Sequence, residues 1–146
     1  MVFAALSGKE ADSCPRKKTI GRARRDRRQG KAPSTQAGEF VREEIEQVRE
    51  GKHGVRSTKQ AIAIGLSKAR RAGVKLPPPA PGRTSPDTRK RAIRDSARGR
   101  ASRQWKPAKR RSRATLRALK REGHRAVSRE ALARQARSAA RRRRAA

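Results

Sequence analysis

The side chains best suited to chemistry in this chain are arginines, and the chemistry they suit is the capture of phosphate. A guanidinium stays charged at physiological pH and presents a planar fork to two phosphate oxygens at once. Arg110, Arg111, Arg113, Arg117, Arg134, Arg137 and the run Arg141, Arg142, Arg143 and Arg144 crowd the end of the sequence. They are spaced around whole helical turns and not along one face. That pattern suits wrapping or bridging of a backbone and suits base readout poorly. A second group, Lys52, Arg56, Ser57, Thr58 and Lys59, lies where a helix is expected to begin. Free backbone N–H groups flanked by cations attract phosphate, and Ser57 also has the ordinary task of capping. Arg70 and Arg71 lie at the other end of that helix.

Other constellations carry less. Glu43 and Glu44 are adjacent, so on a helix they point apart and make a weak acid–base pair. His53 and His124 fall in glycine-flanked loops; without acidic sequence neighbours they read as plain surface residues. Gly51-Lys52 ahead of Ser57-Thr58 lacks the Gly-x-x-x-x-Gly-Lys-Ser/Thr spacing of a phosphate-binding loop. No Ser-His-Asp or Cys-His arrangement is present. Cys14, the single cysteine, can form neither an intramolecular disulfide nor a cysteine-based zinc site. Neither enzyme activity nor a cofactor, metal or small-molecule substrate is expected. Trp105 reads either as a base-stacking residue or as a local packing anchor. The lack of interleaved aromatics argues against a stacking platform for single strands.

Composition sets the frame for these residues. The 146 residues include 43 Lys or Arg and 12 Asp or Glu, a formal charge of +31. Apolar residues make up 32% and aromatics 2%. So little bulky apolar material cannot offset the ordering entropy of the whole chain. The charge repels itself until a polyanion neutralises it. Nucleic acid is the first candidate and an anionic membrane surface the second. Met1–Leu6 is apolar but short and lacks a basic leader, so it makes a poor signal peptide. No apolar run approaches a membrane span. The expected setting is cytoplasmic, at the nucleoid.

The elements that must position these residues are mainly α. Residues 1–33 read as a disordered basic arm holding Arg22, Arg24, Arg25, Arg27 and Arg28. Residues 34–76 read as a small two-helix hairpin, the expected core. Its first helix, 34–50, is capped by Ser34 or Thr35, lines Phe40, Val41, Ile45 and Val48 along one face, and stops at Gly51. It also carries Glu39, Glu43, Glu44, Glu46 and Glu50. These form a solvated face, or pair with a basic segment of the same chain, or shape where a polyanion binds. The second helix, Thr58 to Ala72, opens on the capping box Ser57-Thr58-Lys59-Gln60 and precedes Gly73. Its arc of Ala61, Ile62, Gly65, Leu66 and Ala69 admits the first helix closely. Residues 77–84 are a proline-rich linker. Residues 85–146 form an Arg/Ala-rich, conditionally helical tail. One helix is expected from Ser85-Pro86 to Arg98, before Gly99. A second is expected from Pro107 to Glu122, with a weak stripe of Leu116 and Leu119. A third is expected from Ser128-x-Glu130 into Arg141–Arg144, with Val127, Ala131 and Leu132. Short isolated helices are marginal, so phosphate is expected to add helicity.

The stretch from Ser34 through Ile45, the segment Ser57-Thr58-Lys59-Gln60-Ala61-Ile62-Ala63-Ile64-Gly65-Leu66-Ser67-Lys68-Ala69-Arg70, and Ala118–Gly123 with Ala131–Ala140 resemble a family of small, highly basic bacterial proteins. Its members are uncharacterised and loosely described as DNA-binding. The resemblance runs over roughly 34–146 and brings no catalytic residues. DNA is the expected partner, bound mainly through its backbone, with RNA or the ribosome as an alternative. A sequence-specific helix-turn-helix-like regulator is a further alternative, although a seven-residue loop exceeds the usual turn of about three or four residues. So is an interaction protein whose acidic helix binds a basic partner.

Overall fold

The computed structural model describes residues 15–101 and 108–145, and they are mainly helical. Along the chain run α1 (Lys17–Arg28), α2 (Pro33–Arg49), α3 (Thr58–Arg71), α4 (Pro86–Arg100), α5 (Lys109–Lys120), a short 3-10 turn (Arg125–Val127) and α6 (Arg129–Arg144). Cys14, Trp105 and Pro107, singled out in the sequence, lie outside the described residues.

Local chemistry sets most of the helix ends. The Ser57, Ser85 and Ser128 side chains accept hydrogen bonds from the backbone N–H of Gln60, Thr88 and Ala131, each satisfying a donor that the first turn leaves orphaned. The Gln60 side chain reaches back to the Arg56 N–H at 2.7 Å, one residue outside a standard capping box. Gly51 takes a left-handed φ of 74° after α2. The Gly51 and Lys52 N–H groups then close back onto the carbonyls of Val48 and Gln47, the two-bond ending that glycine favours.

Several expectations are corrected. Neither Ser34 nor Thr35 caps α2, which instead opens with Pro33 after Ala32; proline's fixed φ suits a first helical turn, whose N–H would be unpaired anyway. α4 runs through Gly99 to Arg100. A Cβ at Gly99 would fall 1.9 Å from the Arg70 carbonyl oxygen, so this glycine admits a backbone against the helix and does not end it. The stretch read as an irregular arm contains α1, which packs on α2. Its buried face is only Thr19, Ala23 and Asp26, with Ile20 alongside.

The two-helix core is replaced by a broader one in two parts. Phe40, Ala37, Ala23, Ala69 and Val74 form the first, with Ile20, Leu66 and Leu76 packed against it. Val48, Val55, Ala61 and Val127 form the second, flanked by Ile45, Ile64 and Ala126. α2 and α3 pack against each other, and Gly65 admits a close approach: a Cβ there would fall 2.6 Å from the Val41 Cα. α1 adds to one side of this pair, α4 to the other, and the 3-10 turn and α6 lean on α3. α5 touches no other helix among the described residues.

Candidate nucleic-acid interface

The acidic helix decides which cations remain available. Glu43, Glu44 and Gln47 of α2 are buried, so its acids are not the solvated face that composition suggests. Glu44, 0% exposed, takes the Lys68 ammonium at 2.8 Å. Lys68, itself 4% exposed, also donates to Gln47 Oε1 at 3.1 Å. Gln47 Nε2 donates to Glu43 Oε1, which accepts the Arg16 N–H as well. The His53 imidazole is 4% exposed, with Nε2 3.4 Å from Glu44 Oε1. His53 is therefore a core residue and not a surface one. Its acidic neighbour comes from α2, nine residues back in the chain. Burial of single charges is costly, and pairing with hydrogen bonding offsets that cost.

Four further carboxylates of the body are engaged in a similar way, while Glu46 and Asp87 have no ion-pair partner among the described residues. Glu39 pairs with Arg22, Asp26 with Lys31, and Asp95 with Arg71 and Arg98. Glu50 takes both Arg16 and Lys52. The hydrogen bond from Arg16, followed by that from Lys52, holds the Glu50 carboxyl below its usual range, and the same bond raises Arg16.

This pairing sorts the candidate phosphate ligands. Arg70 is withdrawn from solvent at 8% exposure, and its guanidinium donates to the Pro77 carbonyl. Burial pushes that guanidinium downward. Arg71 is half-buried, donates to the Ser67 carbonyl and faces Asp95 at 4.0 Å. Neither is a free ligand for phosphate, because the last turn of α3 faces α4 and the segment that follows. At the start of α3, Lys52 leans on Glu50 and the exposed Arg56 reaches Glu122 at 3.4 Å. The Thr58 hydroxyl donates to the Ala126 carbonyl, and Lys59 stands exposed. So the expected phosphate cradle is partly covered by the tail.

The tail differs. Arg110, Arg111, Arg113 and Arg117 are exposed on α5, and Arg134, Arg137, Arg141, Arg142, Arg143 and Arg144 on α6. No carboxylate among the described residues lies within ion-pair distance of these ten. Between these arginines on α6, Ala131, Leu132, Ala133, Gln135, Ser138, Ala139 and Ala140 are half-buried. Arg129, Arg134 and Arg137 rim a shallow open groove with Glu130 and Ala133.

Sequence reasoning missed the seam that joins tail to body. Four body donors meet four tail carbonyls. The Gly54 and Val55 N–H groups donate to Leu119 and Gly123 at 3.0 Å each. Thr58 donates to Ala126, and the Arg49 guanidinium donates twice to Val127, at 3.2 and 3.3 Å. Val127 is 1% exposed beneath them. The only local hint is an aliphatic side chain alone in a basic stretch. No group of three or more His, Cys, Asp or Glu able to hold a metal occurs among the described residues.

Residues 12–79 match the model of a family of unknown function (DUF6496). The match takes in α1, α2 and α3 and ends before α4. It thus reaches a helix that the resemblance over 34–146 leaves out, and does not reach the tail. No curated protein and no solved structure matches the chain.

Proposed function

We propose that this protein binds nucleic acid, DNA foremost, through backbone phosphates, with little regard to sequence and without catalysis. The supporting observation is the surplus of cations without a carboxylate partner. Residues 17–100 carry 24 Lys or Arg against eight Asp or Glu, and residues 108–145 carry fifteen against only Glu122 and Glu130. A surface of unpaired guanidinium groups gains most from a polymer whose condensed counterions are released on contact. The regulator alternative draws little support from α3, which is covered by α2, α4 and the 3-10 turn and leaves no clear face for a groove. No described helix is long and apolar enough to cross a membrane. The nucleoid is the cellular setting this reading implies.

A gel shift titrated with salt, run on DNA and RNA in parallel, tests it. Engagement of about 8 duplex phosphates gives a log–log slope of about −7. Unlabelled random duplex competes fully. The reading is abandoned if neither polymer shifts at low salt. A preference for RNA that nuclease treatment confirms in co-purification favours the RNA or ribosome alternative.

A further inference from the structure

We propose that the seam at residues 119–128 makes the tail a pre-set two-armed holder for a double helix in preference to a single strand. This rests on the phosphate-binding reading above and adds the form of nucleic acid. The seam fixes the C-terminal end of α5 and the N-terminal end of α6 to one spot on the body: Leu119 and Gly123 accept from Gly54 and Val55, and Val127 is buried between Val48, Val55 and Ala61. The two helices leave that spot without touching, since no Cα of one comes within 8 Å of the other. Their lengths are about 18 and 24 Å at 1.5 Å per residue. Both are cationic, and neither has a carboxylate partner for its outward arginines.

A duplex is stiff, with a persistence length of about 50 nm, so two arms held at a set separation meet phosphates that are also at a set separation. The second arm then binds at high effective concentration. A single strand bends to follow any distribution of charge and gains nothing from arms fixed in advance. It is held best by aromatic stacking, and residues 108–145 contain no Phe, Tyr or Trp, with Trp105 alone nearby in the sequence. Charge complementarity therefore admits both polymers, while rigidity and the scarcity of aromatics select the double helix.

Gly54 supplies the test. A Cβ there would fall 1.9 Å from the Glu122 carbonyl oxygen and 2.4 Å from its carbonyl carbon, backbone atoms that cannot swing aside. Gly54→Ala therefore opens the seam without removing a charge. Anisotropy titrations compare the full-length protein and this variant on a short duplex and on a single strand with the same number of phosphates, each as DNA and as RNA. The wild type is expected to favour the duplex. In the variant, duplex affinity falls about tenfold or more as the arms become independent, single-strand affinity stays within twofold, and residues 109–145 become sensitive to protease. Val127→Asp, which opens the same seam from the tail side, should give the same pattern if Gly54→Ala proves unfolded by circular dichroism. Equal wild-type affinity for both forms overturns the two-armed holder and leaves phosphate binding standing. So does a retained duplex preference after the tail has become protease-sensitive. Binding to neither form removes the underlying reading as well.

Discussion

Lys68 and Arg137 are both cations on helices of one very basic chain, yet they have opposite fates. Lys68 is enclosed by Glu44 and Gln47 in the middle of the body. Arg137 stands in solvent on α6 with no carboxylate in reach. The same contrast separates the buried pairs within the body, 17–100, from the tail, 109–144. In the body, Glu39 and Glu44 pair with cations of neighbouring helices and so join the packing, although 24 Lys or Arg there still outnumber eight acids. In the tail, two acids serve fifteen cations, and charge is left facing outward. Net charge alone therefore says little about either region; what matters is where the carboxylates lie.

The largest test of that division strikes the body. Lys68→Met leaves Glu44 buried without its cation and is expected to cost about 3–5 kcal/mol, read from urea unfolding. Pairing it with Glu44→Leu should restore most of that stability, since replacing both partners of a buried pair by apolar groups is often near neutral. If the double variant is as unstable as the single one, the pair is not what Lys68→Met removes.

The converse test strikes the tail. Arg134→Ala, Arg137→Ala and Arg141→Ala together should leave stability within about 0.5 kcal/mol. The same triple variant should flatten the salt slope for duplex binding by about 3 and weaken binding by about two orders of magnitude near 0.1 M salt. A large loss of stability would mean that these arginines belong to the packing after all.

A smaller effect is expected at the join between local and long-range order. Ser57→Ala removes the acceptor for the Gln60 N–H and should cost about 1 kcal/mol, measured by thermal unfolding. The smallest effect sharpens the boundary at Glu50. Because its carboxyl is held low in the folded chain, the contribution is present above the ordinary carboxylate range and is lost as pH falls through the lower folded value. Glu50→Gln should therefore narrow the gap in thermal midpoint between neutral and acid pH. The site is open to solvent, so screening keeps this change slight.

Much of the local framework is legible in the sequence. Ser57, Ser85 and Ser128 announce helix starts, and Gly51 and Gly73 announce ends, because each acts on backbone groups a few residues away. α1 is not legible. Its only aliphatic contacts are Ile20 and Ala23 amid arginines, too few to make a stripe, and its place is fixed by Arg22 on Glu39. The Glu44–Lys68–His53 cluster is hidden for the same reason. Its members are 24 and nine residues apart, and like-looking charges give no local sign of which will meet. On the tail, the exposed arginines are legible as a composition, while their separation from the buried Arg70 requires the fold.

The seam also has a bearing on time. Arg49 meets Val127 across 78 residues of chain, and Thr58 meets Ala126 across 68. Contacts between residues so far apart in sequence must bear the entropy of closing a long loop before they return anything. A chain made from its N-terminus can assemble α1, α2 and α3 while this junction still lacks half its atoms. Docking of the tail is thus a late event in the life of each new molecule, and the interval before it is when the cationic end is least constrained.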